Sequence, residues 1–151
     1  MTLPTSQPIH PTESKQQKPT KRPGASLWAL RIVLLLHAGL VGMQPILAGY
    51  FLSGEADAMN IHGPIGSSLS IVSMLQFVVA VLYWRPGGGR PWPALLTVAL
   101  LIAEVVQLAM GYAQNLAVHI PLGTAIVATV VTLTIWSFRP GARRGRLEVA
   151  K

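Results

Sequence analysis

Four long apolar runs dominate the chain, at residues 32–52, 61–84, 92–113 and 116–138. Each reaches the roughly 20 residues that a helix needs to cross a hydrocarbon core of about 30 Å. In lipid a backbone has no partner but itself, so the runs are expected to be helices. Short polar connectors separate them. The pattern predicts an all-α membrane protein, a four-transmembrane-helix up-down bundle. The first run is too long for a cleavable signal peptide, and no small-residue cleavage site precedes a soluble domain.

The polar residues at the ends of the runs give an orientation. All 12 Lys and Arg fall on one side of this map. Lys15, Lys18, Lys21, Arg22 and Arg31 precede or open the first run. Arg85 and Arg90 lie in the second connector, and Arg139, Arg143, Arg144, Arg146 and Lys151 follow the last run. The other two connectors hold only Glu55 and Asp57 as charges. The positive-inside rule then places both termini in the cytoplasm of a multi-pass cell-membrane protein, N-in and C-in. Trp28, Trp84, Trp92 and Trp136 agree, since all fall at inner ends, with Tyr50 and Tyr112 at outer ends. Residues 1–25 read as a disordered cytoplasmic tail, 26–139 as the transmembrane domain and 140–151 as a mobile basic tail. His10 lies in the first tail and is given no role.

Composition narrows the chemistry. Only 11% of residues are charged, against about a quarter in a soluble domain. The net charge of +7 sits in topology-setting flanks that would touch the lipid bilayer, so no nucleic-acid partner is expected. The absence of cysteine excludes disulfides, Cys-bound metals and thiol redox chemistry. No P-loop, G-x-S-x-G or HExxH motif is present, so no catalytic residue is named.

An internal repeat carries the sharpest signal. Residues 62–66 read His-Gly-Pro-Ile-Gly and residues 119–123 read His-Ile-Pro-Leu-Gly, each opening a span on the outer side. Upstream stand Gln44 before Gly49-Tyr50, and Gln107 before Gly111-Tyr112. The chain thus reads as two repeated helical hairpins, entering from the same side, with one residue more between Gln and Gly in the first. A pseudo-two-fold axis along the bundle would set His62 and His119 at equal depth on opposite sides. Two such imidazoles can ligate one haem iron. Pro64 and Pro121 are expected in the first helical turn, where a missing N–H costs little. Gly66 and Gly123, one turn below the histidines, leave room beside a flat macrocycle. The plainer alternative is that each histidine is solvated or bonds a loop carbonyl.

These elements resemble one four-helix half of the heme A synthase family, whose eight helices form two such halves. The resemblance rests on His62, His119 and Gln107-Leu-Ala-Met-Gly111, and spans about residues 32–138. It implies that His62 and His119 are the axial ligands of a b-type haem, haem b. It also implies electron transfer or haem handling, with a membrane redox or haem-handling partner. The family's catalytic half has a glutamate three residues before the first outer-loop histidine. Met59 stands there in this chain, so haem-modifying activity is not implied. No Lys or Arg is available on the outer side for haem propionates.

Other polar residues lie within the spans. A charged carboxylate at a helix centre costs about 2.5–3.5 kcal/mol on insertion scales, so Glu104 should be protonated, paired or facing water. Gln44 lies at similar depth, and a Gln44–Glu104 hydrogen bond is expected. His37 lies near the depth of Gln76, and an interhelical hydrogen bond between them is expected. Pro45 should kink the first helix. Two further readings stay open beside the haem protein. One is a proton-coupled transporter using Glu104; the other is a cofactor-free structural or regulatory subunit. Homo-oligomerisation is open in all three.

Overall fold

The computed structural model describes residues 24–143. These form α1 (Ala25–Leu52), a 3-10 turn (Ala56–Ala58), α2 (Met59–Trp84), α3 (Trp92–Tyr112), α4 (Leu116–Phe138) and a short α5 (Pro140–Arg143). No strand occurs among the described residues. The four long helices coincide with the apolar runs, and each is long and apolar enough to cross a membrane. Two helices start early. The 3-10 turn runs straight into α2, and α1 begins at Ala25 because Leu27, Leu30 and Arg31 already have buried places to fill. Pro45 does not break α1, which runs through it.

Each helix packs against its neighbours in sequence, and α4 closes the ring against α1. The result is an up-down four-helix bundle. One end carries His62 and His119 with the α1–α2 and α3–α4 turns. The other carries Arg31, Arg85, Arg90 and Arg139. At the histidine end, both turns need a left-handed residue. Gly54 (φ 104°) supplies it after α1 and Gln114 (φ 54°) after α3. Glycine adopts this conformation without steric cost. Gln114 Nε2 donates to the Gly111 carbonyl at 3.0 Å.

The distribution of side chains reverses that of a water-soluble bundle, which turns its charged and polar face outward. Ile32, Ile46, Ile71, Leu95, Ile102 and Ile120 all point outward and are more than half exposed. Arg31, His37, Ser73, Gln76, Thr97, Glu104, Thr134 and Ser137 are buried instead, among Leu30, Leu34, Val41, Ala80, Val130 and Leu133. Small and hydroxyl side chains allow helices to approach closely where lipid gives no hydrophobic drive to associate.

The arginine end is closed by the α2–α3 connector and α5. Gly89 lies directly on the Tyr83 ring, so no side chain fits there. Tyr83 Oη donates to the Ala142 carbonyl at 2.9 Å. Residues 140–143 form a short helical turn with Ala142 buried. The expectations for residues 1–23, His10 included, and for 144–151 lie outside the described residues.

Candidate functional site at the histidine end

His62 is the fourth residue of α2 and His119 the fourth of α4. Each turns its ring back toward the preceding helix. His62 Nδ1 lies 3.2 Å from the Gln44 carbonyl oxygen and His119 Nδ1 lies 2.9 Å from that of Gln107. A carbonyl oxygen only accepts, so both Nδ1 atoms carry the hydrogen. Both Nε2 atoms then keep a free lone pair in a neutral ring. The two half-buried rings come together, with centroids 6.3 Å apart and planes tilted by 51°.

Glycine makes room for these contacts. A Cβ at Gly66 would meet the Gln44 side chain, and one at Gly123 would sit 2.7 Å from Gln107 Nε2. One at Gly111 would sit 2.9 Å from His119 Cε1, whereas Gly49 has open space. The extra residue between Gln44 and Gly49 shifts that glycine off the ring. Pro64 and Pro121 are each the sixth residue of their helix. They lie inside it rather than in the first turn, because α2 starts at Met59 and α4 at Leu116.

The histidine end has few charges. Asn60 Nδ2 donates to Asp57 Oδ1 at 3.2 Å. Glu55 and Asp57 are the acidic groups, and no Lys or Arg stands here among the described residues.

A second polar group lies deeper in the bundle. His37, with no exposed surface, places Nδ1 2.8 Å from Gln76 Oε1. Gln76 Nε2 donates to Thr97 Oγ1 at 2.9 Å, and Thr97 Oγ1 donates to the Pro93 carbonyl at 2.8 Å. The expected His37–Gln76 bond is present. Glu104 differs from expectation: its partner is His37, with Nε2 2.8 Å from Oε1, not Gln44. His37 and Gln44 share one face of α1 two turns apart, and the helix register sets His37 opposite Glu104. The two atoms lie within ion-pair distance, and neither has another hydrogen-bond partner. Glu104 Oε2, Ser73 Oγ, Gln44 Nε2 and Gln107 Oε1 are buried without a hydrogen-bond partner.

Arg31 has a role that its place in a basic flank did not reveal. Only 1% of its surface is exposed. Its Nε and Nη2 donate to the Ser137 carbonyl at 3.0 and 2.9 Å. Its guanidinium lies 4.8 Å from the Trp28 ring centroid and 4.7 Å from that of Phe138. The cation thereby meets the negative end of the α4 dipole. Thr97 was also missed, since a lone threonine in an apolar run has no sequence signature.

The sequence-derived residues thus divide into two groups. His62, His119, Gln44, Gln107, Gly66 and Gly123 come together at the histidine end, and His37, Gln76 and Glu104 meet deeper in the bundle. No cluster of three or more His, Cys, Asp or Glu that would hold a bare metal ion exists among the described residues. The chain matches no family model, no curated protein and no solved structure.

Proposed function

We propose that this chain is a multi-pass membrane protein that binds one b-type haem between His62 and His119 and serves electron transfer or haem handling. The observation that carries the reading is the paired ring geometry. Ligating imidazoles usually donate their second nitrogen to a carbonyl or carboxylate, which fixes tautomer and orientation. His62 and His119 each hold Nδ1 on a backbone carbonyl and keep Nε2 free. A metal–imidazole bond is about 2 Å, so two rings on one metal place their centroids about 6 Å apart. The rings lie 6.3 Å apart. With two imidazoles and no third His, Cys, Asp or Glu grouped with them among the described residues, the set suits an iron whose other ligands come from a macrocycle. Such a group would supply one-electron exchange. The chain's own part is to orient the two rings through the Gln44 and Gln107 carbonyls and to surround them with apolar helices. Gly66 and Gly123 allow Gln44 and Gln107 to lie beside the site. The resemblance to half of a heme A synthase supports the same reading. The one-sided Lys and Arg distribution supports a cytoplasmic arginine end and an opposite-facing histidine end.

The test is an optical spectrum of the purified full chain, oxidised and then reduced, beside His62→Ala and His119→Ala. A sharp reduced α band of b type, lost in both variants, is the expected result. A featureless spectrum after haem is supplied would overturn the reading. The second reading would then stand: each histidine is a clasp that ties α2 to α1 and α4 to α3. The observation favouring it is that the Gln side chains already fill the space beside Gly66 and Gly123.

A further inference from the structure

The deeper polar group has a proton count that its hydrogen bonds determine. The Pro93 carbonyl only accepts, so Thr97 Oγ1 uses its hydrogen there. Thr97 Oγ1 must then accept from Gln76, which presents Nε2 to it. That leaves Gln76 Oε1 toward His37, and an amide oxygen only accepts, so His37 Nδ1 carries a hydrogen. The ring's tautomer is therefore set from α3 through α2.

Nε2 of the same ring lies 2.8 Å from Glu104 Oε1. With no proton between them, a lone pair would face a carboxylate in a site where His37 has no exposed surface. With a proton on each, a net positive charge would be buried in an apolar bundle, at a high desolvation cost. One proton leaves the pair neutral overall. The groups packed around it do not change this count. Gln76 faces it from α2, backed by Thr97 of α3, and Ser73 is buried one turn from Gln76 on α2. The buried hydroxyls on α4 are engaged elsewhere: Thr134 bonds the Leu34 and Val130 carbonyls and Ser137 donates to the Thr134 carbonyl. Arg31, six residues away on α1, is held on Ser137 at the arginine end. His62 and His119 lie toward the other end, bonded to the Gln44 and Gln107 carbonyls.

We infer that His37 and Glu104 form a proton-binding site that holds one shared proton at the centre of the bundle and exchanges it with the histidine end. Moving the proton from Glu104 Oε1 to His37 Nε2 converts acid and imidazole into carboxylate and imidazolium without changing the net charge. The exchange route is marked by orphaned polar atoms. Glu104 Oε2, Ser73 Oγ, Gln107 Oε1 and Gln44 Nε2 are buried and unpartnered. Such atoms are normally met by ordered water. Gln107 stands one turn beyond Glu104 on α3, and Gln44 two turns beyond His37 on α1, both toward the histidine end. Toward the arginine end the polar group stops at the Thr97–Pro93 bond, and Leu30, Leu34 and Ala80 are fully buried. The site needs no bound group at His62 and His119.

The test uses the full chain in lipid bilayers. Nitrogen-15 NMR of labelled histidine reads His37, and infrared spectroscopy reads Glu104 through the wild-type minus Glu104→Gln difference. Carbon-13 labelled glutamate gives the same assignment without substitution. At neutral pH the expected result is Nδ1 protonated, with either an acid beside a neutral ring or a carboxylate beside an imidazolium. A carboxylate beside a neutral ring, an acid beside an imidazolium, or a ring protonated only at Nε2 would overturn the shared proton. On transfer to D2O the Glu104 signal should shift promptly, and several-fold more slowly in Ser73→Val. Equal rates in the two proteins would overturn the route.

Discussion

Removing His37 should cost more than its side chain's size implies, and removing Glu104 as well should add almost nothing to the loss. In His37→Leu, Glu104 loses its close partner and Gln76 Oε1 loses its donor. A buried polar group left unsatisfied costs about 1–3 kcal/mol in general. Between transmembrane helices, hydrogen bonds average about 0.6 kcal/mol and reach about 1.7 kcal/mol, because the unfolded helices also find partners. Two broken contacts at full burial therefore predict a loss of about 2 kcal/mol. Glu104→Leu breaks only the His37 contact and should cost about 1 kcal/mol. In His37→Leu/Glu104→Leu the contact energy is no longer counted twice, so the double variant should be about 1 kcal/mol more stable than the sum of the singles predicts. The assay is reversible unfolding in mixed micelles, read by fluorescence of the tryptophans at the arginine end. Additivity within about 0.5 kcal/mol would show the pair uncoupled, and the polar arrangement derived above would be wrong.

Arg31→Met keeps the stem but loses two charge-assisted hydrogen bonds and two ring contacts, so unfolding in micelles should show a loss of about 2–4 kcal/mol. Unchanged stability would mean that the Ser137 carbonyl needs no cation. Gly89→Ala should unseat Tyr83 and its bond to Ala142, lowering the melting temperature and exposing residues after Phe138 to protease. In a haem titration, Gly111→Ala should push the His119 ring and weaken binding, while Gly49→Ala, with open space, should be silent. Because the chain has no cysteine of its own, Ser53→Cys and Pro86→Cys give exposed labelling sites. A membrane-impermeant thiol reagent added to intact cells should label the first and spare the second.

The long helices were legible because an apolar run of this length has one stable form in lipid. The matching five-residue segments likewise led to His62 and His119, and the paired glutamines upstream proved to supply the carbonyls that hold them. Depth along a helix was less legible. Gln44 and His37 share a face two turns apart, and no feature of the residues chose which would meet Glu104. The register of α1 against α3 decides that, through packing of many small contacts. Arg31 looked like one flank charge among several, since its burial depends on where α4 ends and where Phe138 and Trp28 lie. The docking of residues 140–143 was hidden for a similar reason: Tyr83 and a glycine-rich connector from elsewhere in the chain create the surface that receives them.

The central claim is that His62 and His119 together ligate one haem. Low-temperature electron paramagnetic resonance of the oxidised, haem-loaded full chain in lipid nanodiscs tests it most directly, with one haem counted per chain. The expected result is a low-spin ferric signal of bis-imidazole type, converted to high spin or lost in both His62→Ala and His119→Ala. A high-spin signal in the wild type, or a low-spin signal that survives either substitution, would contradict it.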